Sequence, residues 1–413
     1  MNLKESPLGS LLSKVIDYRG KTPKKTNQGI RLITAKIIKN GKIEKNGKQE
    51  YIAEGSYEDV MRRGTPQKND IFITTEAPLG ELAIWKSEER IALAQRVILL
   101  RPNPYFIDPD FLFHYLKSAQ FQSELSSHAT GTTVLGIKNP ILRSLPIKYP
   151  INLNDQKKIG SILSSYDDLI TINQRRIALL EDAARRLYRE WFVHLRFPGH
   201  EAVPVQDGVP QGWTRGFAHD FIFIMSGGTP KTKIDHYWGG GIPFFTPKDA
   251  TNSFFVRKTE KTLTNEGLQN CNSQLFEEGT IFITARGTVG KINMAQEPMA
   301  MNQSCYALKP KINFDNLFLF MSINAAVSHL KQAATGGVFD TIIVDTFKTI
   351  PFTLPEPELT FSFGSKAAPI FDQIKNLIVI NERLQLARDL LLPRLMSGKL
   401  DVSNIPLPEE VLA

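Results

Sequence analysis

The chain repeats itself. ITTEAPLGEL, starting at Ile73, returns in altered form as ITARGTVGKI from Ile283. RGKTPKK (19–25) returns as GGTPKT (227–232), and GIRLITAKI (29–37) as GIPFFTPKD (241–249). Gln95 in ALAQRVILLRP corresponds to Gln303 in AMNQSCYALKP, and HATGTTVLGI (128–137) to AATGGVFDTI (333–342). LRSLPIKYP (142–150) matches FKTIPFTLP (347–355), and DDLITINQRRI (167–177) matches KNLIVINERLQ (375–385). The order never changes, and the spacing stays close to 210 residues. A collinear duplication fixes the architecture before any local reading does, because each copy must fold the same way. Each copy holds strand-rich sequence followed by a long helical segment.

The glycine turn in ITARGTVGKI resembles a phosphate loop, but the spacing excludes one. That loop requires a glycine where this chain has Ala285 and a hydroxyl where it has Ile292. Its twin, EAPLGE at 76–81, keeps the glycine and changes the polar residues: Glu76 against Arg286, Glu81 against Lys291. Gly80 and Gly290 supply backbone shape. A constant frame carrying variable polar groups suits recognition, whereas a catalytic site would not reverse its charge between copies.

The first helical segment, 154–192, opens with Asn154 before Asp155 and Gln156, an N-cap and acidic first turn. Its apolar ladder alternates steps of four and three: Ile159, Leu163, Tyr166, Ile170, Asn173, Ile177, Leu180, Ala184, Leu187, Trp191. That is a heptad seam, which seeks another helix. Asn173 sits in it, and Asn381 is its counterpart in the second copy. A buried seam amide fixes register, so the two helices are expected to meet there. The second helix is expected over about 366–397, ending or kinking at Pro393. A helix of about 38 residues spans roughly 57 Å, long enough to act as a ruler between two globular copies at opposite ends of an antiparallel pair.

The net charge of +8 favours an acidic partner, nucleic acid first among them. Cys271 and Cys305 form no CxxC pair, and the histidines are scattered, so no metal site is expected. No [DN]-P-P-[FYW] methyltransferase motif, HExxH or nuclease carboxylate cluster occurs. Without an apolar leader or a run of about eighteen apolar residues, a cytoplasmic location is expected.

Taken together, SGGTPKT (226–232), YWGGGIPFFTPKD (237–249), LYREWFVHLRFPGHE (187–201), VPQGW (209–213), LLLPRLMSGKLDV (390–402) and the ATGTT and ATGG elements resemble the specificity subunits of type I restriction–modification systems. The resemblance spans the chain. It implies an α+β fold with two pseudo-symmetric mixed α/β target recognition domains separated by a long antiparallel two-helix coiled coil. The expected divisions are a first recognition domain at 1–152, a central helix at 153–198, a second recognition domain at 199–356 and a C-terminal helix at 357–413. It also implies a non-catalytic subunit that reads an asymmetric bipartite site in double-stranded DNA, one half per domain. Two modification (methyltransferase) subunits and restriction (motor-nuclease) subunits are the implied partners. They would carry S-adenosylmethionine, ATP and magnesium, with no cofactor on this chain. The competing classes are a DNA-modifying or DNA-cleaving enzyme with an unrecognised site, and a regulator of bipartite operators.

Phosphate contacts call for Lys, hydroxyls and open amides, which nominates Lys21, Thr22, Lys24 and Lys25 in copy one and Thr229, Lys231 and Lys233 in copy two. Base edges call for forked or bidentate groups; Lys36, Gln95, Lys248, Arg286, Lys291 and Gln303 lie in or beside the matched turns.

Overall fold

The computed structural model describes residues 1–18, 23–44, 49–131, 134–333 and 341–406. The chain divides into two units, Met1–Thr171 with Glu382–Ala413, and Ile172–Asn381. The duplication is visible in the topology of each.

In the first unit, β1 (Leu12–Asp17), β2 (Ile71–Thr75), β3 (Leu79–Ile84) and β4 (Val97–Pro102) form an antiparallel sheet in the order β1-β4-β2-β3. A second sheet joins Ile91–Leu93, Ile30–Ile33, Glu50–Ile52 and Lys25–Thr26. Leu3–Pro7 pairs with Pro146–Pro150. The second unit follows the same plan. Here β5 (Ile222–Ser226), β6 (Phe255–Val256), β7 (Ile281–Thr284), β8 (Ile292–Ala295) and β9 (Cys305–Pro310) assemble as β5-β9-β7-β8-β6. Trp238–Phe245 lies between Lys261–Leu263 and Ala300–Met301, and Thr214–Phe217 pairs with Pro351–Leu354. The central strands are buried on both faces, so β2 and β7 read as apolar runs without alternation.

Two long helices complete the fold: α1 (Leu153–Tyr188) and α2 (Pro357–Met396). Most of the seam expected on α1 is buried: Ile159, Leu163, Ile170, Asn173, Ile177 and Ala184, with Trp191 in the π-helical turn that follows, while Tyr166, Leu180 and Leu187 are half-buried. In each unit the stretches of the two helices run antiparallel. In the first, Asp167 meets Arg388 and Lys158 reaches the Ser403 carbonyl at 2.8 Å. In the second, Asn173 Nδ2 donates to Asn381 Oδ1 at 3.0 Å, and Tyr188 meets the Phe363 ring edge-on. Phe363, Ala367, Phe371 and Ile374 present a buried α2 stripe to the second unit's core. Full burial of one such phenylalanine contributes about 1.5–3 kcal/mol.

Two helix-end expectations are corrected. The cap of α1 is Asn152, whose Oδ1 accepts from the Asn154 N–H at 2.9 Å, so the helix begins one residue before Asn154. α2 starts at Pro357, well before 366, because proline at a first helical position loses no bond. At its other end α2 runs through Pro393 to Met396, close to the expected 397. The missing proline N–H is outweighed by burial of Leu395 and Met396 in the first unit's core.

Candidate nucleic-acid interface

The matched turns rest on twin threonines. Thr74 in β2 and Thr284 in β7 are fully buried, and each hydroxyl accepts one backbone N–H, from Glu81 and Lys291 respectively, both at 2.9 Å. Gly80 and Gly290, at φ 81° and 71°, give the left-handed backbone that returns each chain to its next strand. A Cβ on Gly80 would also fall 2.5 Å from Gln122 Oε1. The frame is therefore shared down to single hydrogen bonds.

The charge reversal at the next residue is matched by a reversal of partner. Glu81 Oε2 accepts from the Asn40 backbone N–H at 2.8 Å. Lys291, half-buried, donates from Nζ to Asn252 Oδ1. An acid meets a donor in one copy, and a base meets an acceptor in the other. Lys291, nominated from sequence for base contact, thus has a partner inside its own unit.

The second unit gathers three nominated residues from distant sequence. Thr229, Lys248 and Arg286 line one cleft of about 390 Å³. Trp238, Phe244 and Lys261 share it, with Asp249 and Glu260. Lys261 Nζ stands 5.2 Å from the centre of the Trp238 ring, which meets Phe244 edge-on at 5.5 Å. Asp249 is occupied internally, accepting from Thr246 N–H at 2.8 Å, Thr246 Oγ1 at 2.6 Å and Glu260 N–H at 2.7 Å. Arg286 and Lys248 are exposed at the rim. A cationic cleft with an aromatic wall and hydroxyl donors can hold phosphates and read base edges. Gln303 stands beside it, its Oε1 accepting from Thr229 Oγ1 at 2.5 Å. Lys231 and Lys233 are exposed on the same glycine-led segment but do not line the cleft.

In the first unit Lys21 and Thr22 lie outside the described residues. Lys24 and Lys36 are exposed, Lys25 pairs with Glu50 at 2.7 Å, and Gln95 is half-buried. Two polar features, one buried and one half-buried, involve α1 here. His114 shares a 3.2 Å hydrogen bond with Ser164, and burial pushes its imidazole down to about 3. Burial would raise the Asp167 carboxyl, but Lys117 at 3.0 Å and Arg388 outweigh it and hold it below the usual carboxylate range.

Sequence reasoning missed Lys261, whose signal is an unremarkable EKTLT. It also missed Asn252, which lies in a loop without periodicity, and Glu181, which stands beside the apolar ladder and reads as a solvated helix charge. Among the described residues, no group of three or more His, Cys, Asp or Glu could hold a metal ion, and no helix is long and apolar enough to cross a membrane.

Comparison with known proteins places these features. The family model described as the type I restriction modification DNA specificity domain matches twice, at residues 9–182 and 210–387. The chain is 23% identical over 376 residues to the Haemophilus influenzae type I restriction enzyme HindI specificity subunit, covering 76% of this chain and 82% of that protein. It is 24% identical over 386 residues to the putative type I restriction enzyme MjaX specificity subunit of Methanocaldococcus jannaschii, covering 91% and 88%. The fold matches the crystal structure of a type I restriction–modification system S subunit from M. genitalium with a TM-score of 0.57 at 16% identity, over 95% of this chain and 96% of that one.

Proposed function

We propose a function from the premise that this chain belongs to the type I restriction–modification DNA specificity family. It is the DNA sequence-specificity subunit of such a system. The observation that carries this reading is the double match of the family's domain, once on each copy of the repeat. Each recognition domain reads one half of a bipartite site. The copies differ at most polar positions of the matched turns, so the two halves of the site differ.

In the second domain, Arg286 and Lys248 read base edges from the rim of the cleft, with Thr229, Lys231 and Lys233 holding phosphates. Lys24, Lys25, Lys36 and Gln95 serve the first domain. The cleft's chemistry supports this assignment, since a guanidinium fork at a mobile-length side chain matches the guanine edge. The two helices set the spacer between half-sites.

The chain contributes no catalysis. Modification subunits supply methyl transfer with S-adenosylmethionine, and restriction subunits supply ATP- and magnesium-dependent cleavage. The helices offer apolar surface for such partners: Leu169, Leu386 and Leu390 are exposed in the first unit, Ile172, Leu179 and Ile380 in the second. The isolated chain, given S-adenosylmethionine or ATP with magnesium, should neither methylate nor cut DNA. Sequencing of methylated bases in the host genome tests the whole reading: a two-part motif with a fixed gap is expected, and absence of any such motif contradicts it.

A further inference from the structure

The geometry points to Glu181 as a positioning residue that ties the spacer helix to the base-reading turn of the second domain. It therefore governs discrimination at one half-site only. This inference rests on the DNA-reading function proposed above.

Glu181 projects from α1 within the second unit and is 5% exposed. A carboxylate that deep is costly unless donors surround it. Three do. Oε1 accepts from Ser253 Oγ at 2.6 Å and from the Phe254 backbone N–H at 2.7 Å; Oε2 accepts from Arg185 Nη2 at 3.3 Å. The Arg185 guanidinium lies 4.8 Å from the centre of the Phe254 ring, closing the site.

The loop that Glu181 grips leads directly to the turn. Asn293, fully buried in β8, accepts from the Thr251 N–H at 3.1 Å and donates to Thr251 Oγ1 at 2.9 Å and to the Ser253 carbonyl at 2.6 Å. Asn252, between them, accepts from Lys291 Nζ. The Lys291 N–H binds the Thr284 hydroxyl, and that hydroxyl also bonds the Thr288 carbonyl inside the turn. Thr288 Oγ1 then donates to the Pro247 carbonyl at 2.9 Å, next to Lys248. An unbroken hydrogen-bonded path thus runs from α1 to the turn that carries Arg286 and to the loop that carries Lys248. Base readout demands placement within about half an ångström, which supporting contacts of this kind provide. The charge of Lys291 serves that support rather than the DNA.

The test uses the full chain assembled with modification subunits, assaying methyl transfer into duplexes that carry single-base changes in each half of the wild-type motif. In Glu181→Ala, discrimination at the half read by residues 199–356 should fall about tenfold, with the other half unchanged. Glu181→Gln should retain most of it, because an amide oxygen still accepts from Ser253 and Phe254. Asn252→Ala, an exposed loop change that leaves the core intact, should relax the same half about threefold. Equal relaxation of both halves, reduced methylation with discrimination preserved, or a wild-type profile in both alanine variants overturns the inference while leaving the DNA-reading function in place. A wild-type complex without a two-part preference overturns that function, and this inference with it.

Discussion

Replacing Asn173 by leucine should cost more than replacing both Asn173 and Asn381. The two amides are each 7% exposed and joined at 3.0 Å. A single leucine removes a hydrogen bond of about 1 kcal/mol net and strands the remaining amide, a further penalty of about 1–3 kcal/mol, partly offset by new apolar contact. Each single variant should lose about 1.5 kcal/mol on that balance. The double variant leaves nothing stranded and should return close to wild type, so the coupling between the sites is about 3 kcal/mol. Urea unfolding followed by tryptophan fluorescence is the assay, since Trp191 packs 5.9 Å from Phe363 in the same stretch of paired helix. An unchanged slope against urea would show that only stability moved. Two single variants within about 0.5 kcal/mol of wild type and additive in combination would refute the reasoning. The double variant should also accept more than one gap between half-sites, because a polar seam pair penalises slipped registers and two leucines do not.

Arg286→Ala should relax one half-site by about 1–3 kcal/mol of discrimination and spare the other, read as relative methylation of single-base variants. Equal loss at both halves would count against its assignment. Seven residues inserted into each helix add roughly 10 Å, so the preferred gap should lengthen by about three base pairs; an unchanged gap would remove the ruler. His114 is neutral when folded, its pKa lowered from 6.5 to about 3 by burial. The unfolded chain therefore binds the extra proton between those values, and stability falls as pH drops from 6.5 toward 3, with nothing lost above 6.5. His114→Gln should flatten that slope relative to wild type, and parallel stability curves over this window would contradict it.

The sequence made the repeated and periodic features legible and hid the non-periodic ones. The duplication, the α1 seam and the Asn173–Asn381 meeting could be read because a heptad ladder and two collinear copies impose regular spacing on the residues that carry them. The start of α2 could not. Its opening, PELTFSFGSKAAP, sets Gly364 and Pro369, both unfavourable inside a helix, among its helix formers, so the sequence signal starts late. The turns at Gly80 and Gly290 were legible as frames, but the roles of their side chains were not. Whether Lys291 faces a partner depends on Asn252, a residue whose loop leaves no pattern. Glu181 reads as a solvated helix charge; only the approach of Ser253 and Phe254 makes it an anchor. Thr229, Lys248 and Arg286 could each be nominated by chemistry, yet they follow β5, the Trp238–Phe245 strand of the other sheet and β7, and their convergence on one cleft is a matter of tertiary structure.

The most direct test of two independent readers on one chain is an exchange. Residues 199–356 are replaced by the matching segment of a relative with a different target, and the methylated motif of the reassembled complex is sequenced. One half of the motif should change to the donor's while the other half and the gap stay as they were. A motif altered in both halves, or in neither, would contradict the account.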